Sequence, residues 1–341
     1  MRRHDSSSAS DSHQPIDVSV VIVNYNTRDL TSECLASLPD AAVSTRIEVI
    51  VVDNASADGS AQHFHASFPN VAVLESGRNG GFGWACNLGA AAASGRWILL
   101  LNSDTVAKPG VIDELVKLAR QRPRALIYGG RTLSPDGALD PRSCWGSPTL
   151  WSTFCYGVGL STAFKDNRFF DPESLGRWPR DSVREVGIVT GCLLMIDKAS
   201  WDILGGFDER FFMYGEDADL NFRVRALGGS PVITPTAQVT HVYGASSVNR
   251  IGKLELLFTG KSLLFRKMWP GRRGELAVAL LRLGVGVRAA LRLVRHPGGA
   301  AEDPLVQLWR RRAQWSAGVW PEWVQKARDT TLHAPTWLGD A

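Results

Sequence analysis

The five cysteines, Cys34, Cys86, Cys144, Cys155 and Cys192, are odd in number, scattered, and contain no C-x-x-C pair. That argues against a disulfide framework and against a structural zinc site, and a reducing compartment is expected. Long apolar runs are also missing. The best candidate, residues 276–294, is broken by Arg282, Arg288 and Arg292, whereas a spanning helix needs about 20 apolar residues. The opening MRRHDSSSASDSHQ carries two arginines with no apolar stretch behind them, so residues 1–16 are read as a disordered N-terminus and not as a secretory signal. Two nucleotide-binding fingerprints are absent as well: no G-x-G-x-x-G follows the first predicted strand, and there is no G-x-x-x-x-G-K-[ST] loop.

What remains has the composition of a folded protein. Its 341 residues are 44% apolar and 21% charged, enough for one large domain with an appendage or for two domains. The net charge of +4 hides an asymmetry, because residues 1–249 sum to −5 and residues 250–341 to +9. The two parts are expected to meet different partners.

From Val18 onward, short β-branched runs alternate with helical segments, the pattern of an α/β sheet. Strands are predicted at 18–23, 47–52, 71–75 and 97–102, then at 188–197, 232–234 and 238–242. Helices are predicted at 27–38, 84–94 and 215–229, the last with Leu220, Val224 and Leu227 on one face, and a short one at 200–206. Residues 130–185, rich in Pro, Trp and Phe, show no clear period and are assigned to irregular loops and hairpins. Polar residues gather where strands end, the edge at which open parallel sheets bind ligands.

VIVNYN places Asn24, Tyr25 and Asn26 after the first strand, although an Asn turn accounts for the same pattern. VVDNASADGS sets Asp53 and Asn54 at the tip of the second. A carboxylate there can accept an N–H from a ligand, with an Asx turn or helix cap as the alternative. RNGGFGWACN leads Arg78, Asn79, Gly80 and Gly81 into a helix, a geometry that suits a phosphate because free helix N–H groups and an arginine both attract anions. In LLLNSDT, Asn102 and Asp104 occupy alternate positions, which point the same way in an extended segment. A hard divalent cation holding a diphosphate would suit that pair; a plain surface turn would look the same. Glu216-Asp217 opens a helix, where the dipole alone favours acids, but His241 at the end of a nearby element gives Asp217 an imidazole to converge with.

Taken in order, VSVVIVNYN, EVIVVDNASADGS, NGGFGWACNLG, LLLNSDT, GGFDERFFMYGEDADLNFRVRALG and THVYGAS resemble the inverting glycosyltransferases of family 2. The resemblance covers about residues 18–245 and is similar in detail to the bacterial rhamnosyltransferases of cell-surface polysaccharide assembly. It implies a GT-A catalytic domain over 17–249, an open, twisted, mostly parallel nucleotide-binding sheet flanked by helices. It implies that Asn24, Tyr25 and Asp53 hold the nucleobase and ribose, that Asn54, Arg78, Asn79, Gly80 and Gly81 line the nucleotide pocket, and that Asp217 is the catalytic base. Asp104 matches the second aspartate of the family's D-x-D motif and His241 its distal ligand, together implying Mg2+ or Mn2+. Asn102 stands where many members carry the first aspartate, so it is kept among the donor-binding residues, and its neutral amide weakens metal binding. The implied reaction moves a sugar, L-rhamnose from dTDP-L-rhamnose in the nearest pattern, from a nucleotide-sugar donor to a lipid-linked glycan acceptor. Another UDP or dTDP sugar, or an inactive scaffold in an assembly complex, are the alternatives.

Residues 250–295 hold eleven Lys or Arg and two acids among Leu, Val, Phe and Trp269, and Arg288, Arg292 and Arg295 share a helical face. Such a composition over 250–298 is expected of a basic amphipathic helical segment on an anionic membrane surface, here the inner face of the cytoplasmic membrane. A soluble helix packed on the catalytic domain is the alternative. Nucleic acid is not an expected partner, since no recognised motif accompanies the charge. Residues 299–341 form a Trp-rich tail (Trp309, Trp315, Trp320, Trp323, Trp337), which either anchors at the interface or docks on the domain.

Overall fold

The computed structural model describes residues 15–242, 250–295 and 302–330. Strands β1 (Val18–Asn24), β2 (Ile47–Asp53), β3 (Val71–Glu75), β4 (Trp97–Asn102), β5 (Thr105–Ala107), β6 (Ile127–Leu133), β7 (Leu193–Asp197) and β8 (Val232–His241) build the central sheet. Their order is β3-β2-β1-β4-β7-β6-β8-β5. The first four are parallel to their neighbours, as are β6 and β8; β7 runs antiparallel between β4 and β6, and β5 antiparallel along β8.

Helices α1 (Arg28–Ala41), α2 (Ser60–Ser67), α3 (Phe82–Ala92), α4 (Val111–Gln121), α5 (Leu150–Gly157), α6 (Lys198–Leu204) and α7 (Glu216–Ala226) cover the sheet. Val18, Val20 and Ile22 of β1 pack into one core with α1 and α4, while Val21 joins Ile50, Val52, α3 and α7 in a second core on the other face. With both faces covered, these strands read as continuous apolar runs and not as alternations. Register sets Asn24 opposite Asp53 and Val23 opposite Asn102. The polar ends of β1, β2 and β4 therefore share one edge, at the point where strand order reverses.

Four features differ from the sequence reading. Residues 188–197 are two short strands, Ile188–Val189 and β7, interrupted at Thr190–Cys192. The expected strands at 232–234 and 238–242 are one strand, whose register shifts between Ile233 and Gln238; Pro235, which lacks an N–H for the ladder, falls in that bulge. Helix α4 and strand β6 lie where no element was placed. Leu227, assigned to the inner face of α7, is half-exposed just beyond the helix end.

The basic part forms α8 (Arg250–Met268) and α9 (Arg272–Arg295), and both pack on the rest of the chain. Lys267 Nζ bonds Asp208 Oδ2 at 2.7 Å and also pairs with Asp219, which Arg223 Nε holds at 2.8 Å. Arg210, with Lys267 beside it, pulls the Asp208 carboxyl well below the usual range. Arg266 pairs with Glu275 at 2.6 Å, and Arg288 turns inward to the Tyr156 carbonyl at 3.0 Å. Several cations assigned to lipid headgroups are thus internal. The tail docks: Trp315 and Trp320 are buried, and Trp320 Nε1 donates to the Arg210 carbonyl at 2.9 Å. Trp337 lies outside the described residues. Among the described residues no helix is long and apolar enough to cross a membrane.

Lys267→Met should cost about 1–3 kcal/mol, because it leaves the buried Asp219 carboxylate to Arg223 alone. Denaturant unfolding checks this; an unchanged midpoint would show that the bridge adds nothing.

Candidate active site

On the nucleotide side, Asn24 is fully buried at the end of β1. Its Nδ2 donates to Asp53 Oδ1 at 2.7 Å and to Ser56 Oγ at 2.9 Å, and its Oδ1 accepts the Thr27 and Thr31 hydroxyls at 2.9 and 2.8 Å. Both donors and both lone pairs of the amide are used within the fold. Asn24 thus positions Asp53, which corrects the expectation that it faces a ligand. Asp53 Oδ2 accepts the Ser56 N–H at 3.0 Å, so each carboxylate oxygen retains a lone pair for a further donor. Tyr25, the next residue after Asn24, is exposed.

The glycine turn is held from two sides. Asn54 Nδ2 donates to Asn79 Oδ1 at 2.9 Å, and Asn54 Oδ1 accepts the Gly80 N–H at 3.3 Å. Asn79 Oδ1 takes the Gly81 N–H at 3.1 Å, and the Phe212 carbonyl takes the Phe82 N–H at 2.9 Å. Gly81 sits at φ +95°, where a Cβ would lie 2.3 Å from the Phe212 oxygen, so glycine alone fits. The amides of Gly80, Gly81 and Phe82 are thus occupied within the fold. Arg78, exposed and stacked 4.9 Å from the Trp84 ring centroid, is the cation left on this side.

Asn102 and Asp104 are not aligned by extended alternation, because β4 ends at Asn102 and Ser103-Asp104 form a turn. Pairing of β5 with the end of β8 does the work instead, setting His241 opposite Thr105. The Asp104 carbonyl accepts the Val242 N–H at 2.8 Å, and Asp104 Oδ1 lies 2.8 Å from His241 Nε2. Among the described residues no cluster of three or more His, Cys, Asp or Glu forms a ready metal cage. One carboxylate oxygen beside one imidazole nitrogen nevertheless fits a divalent cation that brings its other ligands, diphosphate oxygens and water, with it.

Asp217 lies in the first turn of α7, after Gly215 at φ +107°. Its Oδ1 accepts the Ala218 N–H at 2.7 Å and its Oδ2 the Gly191 N–H at 3.3 Å. The next residue, Cys192, accepts the Asn102 N–H at 3.2 Å. One loop therefore ties Asp217 to the strand end that carries Asn102 and leads to Asp104. Asn221, which the sequence reading missed, clamps this loop. Its Nδ2 donates to the Asp217 and Val189 carbonyls at 2.7 and 2.9 Å, and its Oδ1 accepts the Val189 N–H at 3.0 Å. The available signal was an amide beside Leu220 on the buried side of a helix.

Burial raises the pKa of Asp217, and burial together with the Asp217 charge raises that of Glu216. Glu216 Oε2 is buried with no hydrogen-bond partner. Tyr214, at φ +68°, has its phenol pushed up to about 12 by burial, then by Glu216 and Asp104, which places all three in one neighbourhood. A Cβ on Gly260 of α8 would lie 1.9 Å from the Tyr214 carbonyl oxygen, so the basic segment braces this loop directly.

A carboxyl whose pKa rises on folding supports stability while protonated and loses that contribution as pH climbs above the ordinary carboxylate range. Thermal stability should therefore fall from mildly acid to alkaline pH, and Glu216→Gln should flatten the decline. An unchanged slope in the variant would acquit Glu216.

The family model of Glycosyl transferase family 2 matches residues 19–173. The N-acetylglucosaminyl-diphospho-decaprenol L-rhamnosyltransferase of Mycobacterium tuberculosis is 33% identical over 241 residues, 65% of this chain and 75% of that protein. The chain belongs to glycosyl transferase family 2. Two solved structures share the fold of this glycosyltransferase. GalNAc-T7 with UDP, GalNAc and Mn2+ aligns with a TM-score of 0.57 at 14% identity, over 92% of this chain and 57% of that one. Mannosyltransferase PcManGT from Pyrobaculum calidifontis, in complex with GDP-Man and Mn2+, aligns at 0.51 and 16% identity, over 90% and 86%. The glycosyltransferase accordingly has the GT-A fold, with Asp53 at the end of β2, Asp104 in the turn after β4 and Asp217 in the first turn of α7.

Proposed function

We propose that the protein transfers L-rhamnose from dTDP-L-rhamnose, with inversion, to a lipid-linked N-acetylglucosaminyl acceptor in cell-surface polysaccharide assembly. The observation that carries the choice of sugar and acceptor is the 33% identity with the mycobacterial rhamnosyltransferase, over three quarters of that protein. In this reading Asp53 accepts the N–H of the pyrimidine with its remaining lone pairs, Tyr25 and Asn54 flank the nucleoside, and Arg78 lies against the diphosphate. Asp217 takes the proton of the acceptor hydroxyl as that oxygen attacks the anomeric carbon from the face opposite the nucleotide. Asp104 and His241 would hold Mg2+ or Mn2+, which when bound neutralises charge on the departing diphosphate. No second carboxylic acid is required, since a diphosphate leaves without being protonated. A single displacement on a β-L-rhamnosyl donor yields an α-linked product.

The lipid acceptor places the enzyme at the inner face of the cytoplasmic membrane, bound peripherally. The cations of this part that stay exposed, Arg272, Arg273 and Arg282 among them, support this, because each cation near an anionic surface contributes about 1 kcal/mol.

A thermal-shift panel of nucleotide sugars tests the donor. A ligand at a hundred times its Kd stabilises the native state by about 2.7 kcal/mol. The largest rise in Tm is expected with dTDP-L-rhamnose; a larger one with a UDP sugar would replace the donor.

A further inference from the structure

Helix α9 is apolar on both sides. Ala277, Val278, Leu281, Val285 and Ala289 are buried, most of them in a core shared with α8 and Trp315. The opposite side carries Leu276, Leu283, Leu293 and Val294, between 45% and 80% exposed. With Ala279, Val287 and Ala290 between them, these residues follow i, i+3, i+4, i+7 spacing along the helix. A helix on the surface of a globular protein turns polar residues outward; among the described residues this one leaves an apolar stripe exposed, with Trp309 lying against Gly286 at its edge.

A second exposed apolar surface lies on α5, which packs against α9. Trp151 of α5 stacks on Phe154 at 5.6 Å and meets Phe169 at 4.9 Å, and Phe169 is 62% exposed. Helix α5 is fastened to α9: Arg288 lies 4.1 Å above the Tyr156 ring and bonds the Tyr156 carbonyl, and a Cβ on Gly157 would lie 2.9 Å from the Leu280 oxygen. The leucine stripe and the aromatic cluster are thus carried by two helices in direct contact. Scattered exposed apolar residues are ordinary, but a leucine stripe and a cluster of stacked aromatics on two packed helices mark a docking surface.

The charge around the patch identifies the occupant. Arg272, Arg273 and Arg282 on α9 and Lys165 and Arg168 beside the aromatics are exposed. The one acid on α9, Glu275, is already committed to Arg266. A rim of cations around leucines and aromatics complements an anionic bilayer, with the arginines on headgroups and the apolar groups about 5–10 Å deep at the acyl boundary. We propose that the outer face of α9, together with Trp151, Phe154 and Phe169, inserts into an anionic lipid bilayer. This rests on the lipid-linked acceptor of the preceding section and specifies how the enzyme meets that lipid: by insertion and not by charge alone.

Purified full-length protein is sedimented with phosphatidylcholine vesicles, with and without phosphatidylglycerol, across a salt series. Binding should require the anionic lipid yet persist in part at high salt, where exposed charges are screened. The double variant Leu276→Glu with Leu283→Glu, and separately Phe169→Ser, should lower partitioning about tenfold or more. A fluorophore on Leu283→Cys gives an independent readout, selective because all five native cysteines are buried; its emission should shift to the blue on anionic vesicles. If wild-type protein binds neither lipid, the membrane reading itself fails. If it binds but salt removes it completely, or the variants bind equally well, or the fluorophore does not shift, the reading stands and insertion is overturned. A concentration-dependent dimer that the double variant abolishes, without vesicle binding, would assign the patch to a second copy and overturn the proposal.

Discussion

Asp217→Asn is expected to lower the rate of sugar transfer by about 10² or more, the usual worth of a general base, while nucleotide-sugar binding is retained. The substitution keeps the shape of the side chain and removes its basicity. Through its one oxygen the variant can keep the 2.7 Å hydrogen bond from the Ala218 amide and gives up only the longer one, at 3.3 Å, from Gly191. Loss should therefore appear in kcat with little change in Tm. Because burial raises the Asp217 pKa, activity in the wild type should fall on the acid side at a pH above the ordinary aspartate range, and this limb should disappear in Asp217→Asn. Transfer at near wild-type rate by the variant would remove Asp217 from the base position. The alternative carboxyl, Glu216, is buried beside it, and the pH dependence of Glu216→Gln separates the two.

Asp104→Ala should cost about 10² in kcat or more, comparable to losing one preorganised group that stabilises a departing charge. His241→Ala should fall by a similar factor. Asp104 Oδ1 and His241 Nε2 lie 2.8 Å apart, so the double variant should lose little more than either single one, as groups acting as a unit do. Chelator should mimic the loss and added Mg2+ or Mn2+ reverse it. Full activity in excess chelator, with both single variants impaired, would reassign the pair to direct hydrogen bonding of the diphosphate.

The parallel half of the sheet was legible because its strands are buried on both sides. Before their ends, VSVVIV, IEVIVV and WILLLN are polar only at Ser19 and Glu48, each the second residue of its strand, and the polar termini Asn24, Asp53 and Asn102 fall at the sheet edge. Strand β6 was not legible because its Gly129 and Gly130 are dictated by contacts distant in sequence: a Cβ on Gly130 would lie 2.2 Å from the Ala237 oxygen. Helix α4 does carry a readable periodicity in Val111, Ile112, Leu115, Val116 and Ala119. The roles of Asn24 and Asn221 were hidden for a different reason. An asparagine after a strand, or inside a helix, looks the same whether its amide faces a ligand or the backbone, and only the positions of Ser56, Thr31 and Val189 decide. In the basic segment, composition counts cations but not partners. Lys267 finds Asp208 and Asp219, and Arg288 finds Tyr156, across gaps of the fold that no local pattern marks.

The most direct test of the account is to incubate the purified protein with dTDP-L-rhamnose and an N-acetylglucosaminyl-diphospho lipid, measuring dTDP release and the anomeric configuration of the product by NMR. The account predicts dTDP release that depends on the acceptor and an α-linked rhamnosyl product, the outcome of one inversion. Release that is indifferent to the acceptor, or a product that retains the β configuration, would contradict it.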